Sequence, residues 1–109
     1  MPEIPKRGEI WRVDLGYLGK VRPVLVLSIP YFDHERALLV VVAHTTSLRN
    51  TRFEVALKHP SLKEGAFDAQ QIFLVSPSKF ELRLGVLTPE QMRQIEKVVA
   101  TVLGLTLAK

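Results

Sequence analysis

The sequence predicts a mainly β chain of the α+β class, a small, strongly curved sheet or barrel with one C-terminal α-helix packed on it. Three observations predict it. Short apolar or alternating runs recur from residue 8 to residue 87, polar or Pro-containing turns separate them, and a helical period sets in only after Thr88. A chain of 109 residues has surface enough for one core, so 1–109 is expected to form one domain.

The first strand is expected over Gly8 to Asp14, where Ile10, Arg12 and Asp14 alternate with Glu9, Trp11 and Val13. Val21 to Ser28 is rich in β-branched residues, and Pro23 near its start suits a strand whose first N–H need not pair. Pro30 to Arg36 reads as a turn or one helical turn. Arg36 to Ser47, RALLVVVAHTTS, is the strongest strand signal, and its unbroken Leu/Val run suits burial on both faces. FEVAL, Phe53 to Leu57, alternates as another strand, and Phe67 to Val75 and Phe80 to Leu87 supply two more. The total is roughly five to seven short strands. Thr88, Pro89 and Gln91 then read as an N-cap, a proline at the first helical position and the partner of a capping box. Met92, Ile95, Val99, Val102 and Leu103 share one face of the helix that follows, and Gly104 is its expected stop.

Composition narrows the function classes. With 47% hydrophobic and 24% charged residues the chain is globular and not disordered. Fifteen Lys and Arg against eleven Asp and Glu leave a net charge of +4, which favours an anionic partner. The absence of cysteine excludes a disulfide framework, a thiolate zinc site and a cysteine nucleophile. The longest apolar stretches, Ala37 to Ala43 and Val24 to Leu27, fall far short of the roughly 18 residues of a membrane span. MPEIPKRGEIW carries no apolar signal core, so a cytoplasmic protein is expected. P-loop, GxSxG and GxGxxG motifs are absent. His34, His44 and His59 show no metal-ligand spacing, so neither metal nor cofactor is expected.

Two short segments can carry chemistry. Arg22 precedes Pro23, which holds it extended and aims its side chain. Its guanidinium is a planar fork for two phosphate oxygens, or else a strand-end charge paired with Asp14 or Glu54. His44, Thr45, Thr46 and Ser47 end the buried strand with four polar side chains, Thr45 and Ser47 on one face, His44 and Thr46 on the other. A threonine hydroxyl can donate to a phosphate oxygen, and a histidine titrates near neutrality. A bend or bulge would be needed for both to serve one site, and ordinary strand-end residues look the same. Arg49, Asn50, Thr51 and Arg52 form a basic turn, and with Lys20 they could line a groove for a polyanion or stand as solvated loop charges.

Taken in order, RGEIWRVDL at Arg7 to Leu15, RPVLVLS at Arg22 to Ser28, VAHTTS at Val42 to Ser47 with FEV at Phe53 to Val55, GAFDAQQI at Gly65 to Ile72 and LGVLTPEQMRQIEKVV running into the helix resemble the MazF/PemK toxins of bacterial toxin–antitoxin modules. The resemblance spans nearly the whole chain. It implies a small SH3-like barrel with a C-terminal helix, a homodimer, and a sequence-specific, metal-independent endoribonuclease neutralised by an acidic antitoxin. Carried over residue by residue, the catalytic arginine and threonine of the family fall on Arg22 and Thr45; with an RNA substrate implied, Lys20, Thr46, Ser47, Arg49 and Arg52 of the local basic and polar pattern are the expected RNA-binding residues. Cleavage of single-stranded RNA to 2′,3′-cyclic phosphate and 5′-hydroxyl ends is implied. The chain departs from the family at GYLGKV, Gly16 to Val21, where many members have a longer loop with an acidic residue. His44, Glu9 or Asp14 is then the expected substitute proton acceptor. A gyrase poison like the related CcdB toxins, an RNA-binding barrel that does not cut and a non-toxic interaction module are the competing readings.

Overall fold

The computed structural model describes residues 4–16 and 20–105. Six antiparallel strands follow one another along the chain: β1 (Glu9–Asp14), β2 (Val21–Val26), β3 (Leu39–Thr45), β4 (Glu54–Val55), β5 (Ala66–Val75) and β6 (Phe80–Val86). The helix α1 (Pro89–Leu103) closes it. The strands form one sheet in the order β4-β5-β3-β2-β1-β6. Its edge strands β4 and β6 do not pair with each other among the described residues, so the expected barrel is an open, curved sheet. The stretch Pro30 to Arg36 is turn and bend, not helix.

Two apolar layers follow from the alternation of side chains along each strand. Ile10, Leu25, Val42 and Phe67 face Met92 and Ile95 of α1 in the first layer. Val13, Val24, Val26, Leu39, Val41, Ala43 and Val75 make the second, with Trp11, Phe73 and Phe80 packed against it. Trp11, partly buried, meets Phe80 edge-on at 5.8 Å between ring centroids and packs on the second layer of its own chain. β3 contributes to both layers, which is why its sequence reads as a continuous apolar run.

Local chemistry sets the ends of the elements. The Thr88 hydroxyl accepts from Gln91 N at 3.1 Å while the Gln91 side chain accepts from Thr88 N at 3.0 Å, satisfying two N-terminal donors of α1. Gly104 adopts φ 69°, a left-handed conformation that favours glycine, and Leu105 N donates to Ala100 O at 2.8 Å. The last apolar residue of the expected helix face, Leu103, is exposed. β4 is shorter than FEVAL suggested. The Glu54 carboxylate accepts from Arg49 N at 2.8 Å and Thr51 N at 3.0 Å, which spends the strand's first side chain on organising the preceding turn. Pro23 pairs with Arg12 of β1, and the β2–β3 ladder begins only at Val24, so the missing proline N–H disrupts no bond to β3.

Candidate active site

The site is built where three adjacent strands end. Val24 pairs with Ala43 across β2 and β3; continuing this register by two residues sets Arg22 opposite Thr45. Both side chains share the parity of Val24 and Ala43 and therefore lie on the face of the second apolar layer, at its polar end. Thr45 is 7% exposed. Its Oγ1 accepts from Ser47 N at 3.0 Å, and the hydroxyl's only acceptor among the described residues is Ser47 O at 3.5 Å, a length that leaves the proton available for a better acceptor.

Arg22 forms no ion pair among the described residues. The two carboxylates that sequence offered it are engaged elsewhere. Asp14 accepts from Gly16 N at 2.8 Å, and Glu54 holds its turn. Arg22 Nη1 instead donates to Gln71 Oε1 of β5, and Gln71 Nε2 donates to Asp68 Oδ2 at 3.0 Å. A wide bulge delivers Gln71. Between the pairs Val42↔Ile72 and His44↔Phe67, β3 has only Ala43 whereas β5 has Asp68, Ala69, Gln70 and Gln71. Gln70 N donates to Asp68 Oδ1 at 2.9 Å within it. Gln71 and Asp68 were not singled out from sequence. The signal was present, because Phe67 and Ile72, five apart, face the same apolar layer, which an unbroken strand forbids.

His44 does not join this cluster. It lies on the opposite face of β3, 3% exposed, edge-on to Phe67 at 5.1 Å, and its Nε2 has no hydrogen-bond partner among the described residues. Burial pushes its pKa below the ordinary histidine value of 6.5. A depressed pKa means that the unfolded chain binds a proton the folded chain refuses, so this contribution is intact above about pH 6.5 and is lost as pH falls through the folded pKa. The urea midpoint is expected to drop as pH is lowered from about 7 to about 5, and His44→Leu to flatten that drop. An equal drop in the variant would sink this account.

Glu9, the second substitute acceptor, is also committed. Burial works against its charge, but hydrogen bonds from Lys6 N, Trp11 Nε1 and the Arg83 guanidinium, with the Arg83 charge, hold its pKa below the ordinary carboxylate value. Position 22 faces Val13 on β1, four residues from Glu9. Asp14, one residue from Val13, projects from the other face of that strand.

The remaining candidates lie on loops that adjoin β2 and β3 in the chain. Thr46, Ser47, Arg49 and Arg52 are exposed on the segment after β3, where Arg52 lies 4.6 Å over the Phe53 ring. Lys20, exposed with φ 59°, closes the β1–β2 connection by donating N–H to Gly16 O at 2.7 Å. Tyr17 to Gly19, the centre of the shortened loop, lie outside the described residues, as do Thr106 and Leu107 of the tail. A cavity of about 680 Å³ is lined by Leu48, Leu57, Pro60, Leu62 and Gly65, none of them a member of the cluster. Gly65 is the link, since a Cβ there would overlap the Thr45 carbonyl oxygen and stand 2.9 Å from His44 Cε1. No group of three or more His, Asp or Glu side chains that could hold a metal occurs among the described residues. No described helix is long and apolar enough to cross a membrane.

Comparison with known proteins places this geometry. The model for the PemK-like, MazF-like toxin of type II toxin–antitoxin system matches residues 6–103. The chain is 34% identical over 101 residues to endoribonuclease MazF4 of Mycobacterium tuberculosis, covering 93% of this chain and 94% of that protein. It is 32% identical over 98 residues to the probable endoribonuclease MazF5 of the same organism, covering 87% and 89%. Among solved structures, a mycobacterial endoribonuclease in complex with its cognate antitoxin superposes with a TM-score of 0.80 at 32% identity, covering 95% of this chain and 99% of that one. MazF of Deinococcus radiodurans superposes equally well, TM-score 0.80, at 19% identity, covering 95% and 100%, a likeness of fold.

Proposed function

This chain belongs to the PemK-like, MazF-like toxins of type II toxin–antitoxin systems, and from that premise we propose that it is an endoribonuclease that cleaves single-stranded RNA without a metal ion. One feature carries the reading: the β2–β3 register, extended two residues past the pair Val24↔Ala43, directs Arg22 and Thr45 to one sheet face, and Arg22 forms no ion pair among the described residues. A family member whose arginine was locked into an ion pair would lack the free cation that a phosphorane needs.

In the proposed reaction the substrate's own 2′-oxygen attacks the adjacent phosphorus and the bond to the 5′-oxygen breaks. The 2′-hydroxyl proton leaves to an acceptor and the departing 5′-oxygen gains one, giving a 2′,3′-cyclic phosphate and a 5′-hydroxyl. Charge develops on the non-bridging oxygens, where the Arg22 fork and the Thr45 hydroxyl donate hydrogen bonds. Lys20, Thr46, Ser47, Arg49 and Arg52 line the approach and hold the strand through its phosphates. His44 faces away from this chemistry, so the proton acceptor is another group, and His44→Leu is expected to keep the wild-type pH–rate profile.

The same reading includes a homodimer and an acidic antitoxin. Ile29, Phe32 and Leu74, 74%, 70% and 67% exposed, supply apolar surface for an interface between copies. The net charge of +4 suits an acidic partner. Cytoplasmic action is part of the proposal, because mRNA is its substrate.

The test is incubation of purified protein, free of antitoxin, with a long single-stranded RNA in EDTA, followed by chemical mapping of the new ends. Discrete cuts bearing 5′-hydroxyls, absent when the scissile nucleotide is 2′-deoxy, are the expected result. An uncut RNA, or cutting that survives the 2′-deoxy substitution, overturns it.

A further inference from the structure

We propose that Gln71, held in place by Asp68, is a positioning residue for Arg22: it orients the guanidinium while leaving its positive charge available to the scissile phosphate. The inference rests on the endoribonuclease reading above and adds to it residues from a third strand.

Three features of the geometry support this. The bond joins residues 49 positions apart in the chain, across the intervening β3, where the small Ala43 occupies the shared face. Only the bulge over Asp68 to Gln71 restores the strand parity that puts Gln71 on the side of Arg22 and not on the side of Phe67 and Ile72. The bulge leaves ladder groups unpaired, and it recovers part of that loss by turning Asp68 back onto Gln70 N.

The chemistry of the acceptor is the second feature. A carboxylate at position 71 would orient Arg22 as well, but it would also form a bidentate ion pair that competes with phosphate for the same fork. A neutral amide accepts one N–H and leaves the others, with the full charge, to the substrate. Asp68 supplies the third. A free glutamine amide can turn over and present its NH2 group to the guanidinium, donor against donor. The bond from Gln71 Nε2 to Asp68 Oδ2 at 3.0 Å fixes the opposite orientation. The negative charge that sets the geometry is thus kept one side chain away from the cation.

A merely structural hydrogen bond would tie β5 to β2 and affect stability alone. The positioning role instead predicts a loss confined to the chemical step, and confined to protein that has Arg22. Single-turnover cleavage of a mapped RNA by the full chain measures this for Gln71→Met, which keeps length and removes the acceptor, and Gln71→Glu, which keeps the acceptor and adds a charge. Each is made alone and in an Arg22→Ala background. Misplacing the guanidinium is expected to lower kcat by about 10- to 100-fold in both single variants, with KM within about threefold of wild type. In the Arg22→Ala background neither change is expected to cost anything further. Wild-type kcat in either variant, parallel changes in kcat and KM, or an equal loss in the Arg22→Ala background would overturn the inference and leave the endoribonuclease reading standing. Wild-type protein that cuts no RNA would overturn that reading, and this inference with it.

Discussion

Replacing Arg22 with alanine is expected to lower the single-turnover rate of RNA cleavage by about 10²- to 10³-fold, the cost of removing one preorganised donor to a developing oxyanion. The physical ground is that the guanidinium stays charged at every usable pH and forms no ion pair among the described residues. Thermal unfolding should move little, because the residue is half-buried and Gln71, its one side-chain partner among the described residues, keeps Asp68. Arg22→Lys retains the charge but loses the fork, so it is expected to recover only part of the rate. Thr45→Ala removes a single neutral donor and should fall between the two. Cleavage at the wild-type rate by folded Arg22→Ala would end the assignment of this site.

The second large effect is expected from a methyl group. In Gly65→Ala the added Cβ would meet backbone, the Thr45 carbonyl oxygen, and stand 2.9 Å from His44 Cε1. Backbone cannot swing aside, so the start of β5 or the end of β3 must shift, at a cost of about 1–3 kcal/mol for overpacking. Because the atom displaced belongs to Thr45, the substitution should lower cleavage as well as stability, an outcome that urea unfolding and a single-turnover assay on the same protein would read together. Gly85→Ala is the contrast. Its Cβ would stand 2.5 Å from His59 Cε1, a side chain on the β4–β5 connection that can rotate away, and its cost should be the smaller. A Gly65→Ala protein as stable and active as wild type would show that the close packing at Thr45 is dispensable.

What could be read from residues alone was whatever local chemistry decides. Thr88, Gln91 and Gly104 marked both ends of the helix because capping bonds join neighbours in sequence. The double-sided burial of β3 was legible in its unbroken Leu/Val run. Arg22 and Thr45 were legible as candidates, and the β2–β3 register, continued two residues past Val24 and Ala43, directs them to one face. FEVAL read as a full strand, yet only Glu54 and Val55 pair with β5, and the role of the Glu54 carboxylate in holding the 49–51 turn is not legible in a pattern of alternation. His44 was offered beside Thr45, and strand alternation alone already set the two on opposite faces; only packing showed that the imidazole is sealed against Phe67.

The sequence by itself determined the class of the fold, the extent of most elements and the basic balance of the chain, and it offered Arg22 and Thr45 as candidates to which the family resemblance gave their proposed roles. Only the tertiary structure decided that the sheet stays open, which carboxylates are already spent, and that a bulge in β5 brings Gln71 and Asp68 to Arg22. Those outcomes depend on contacts between residues as many as 74 positions apart, whose energies are set by register and burial.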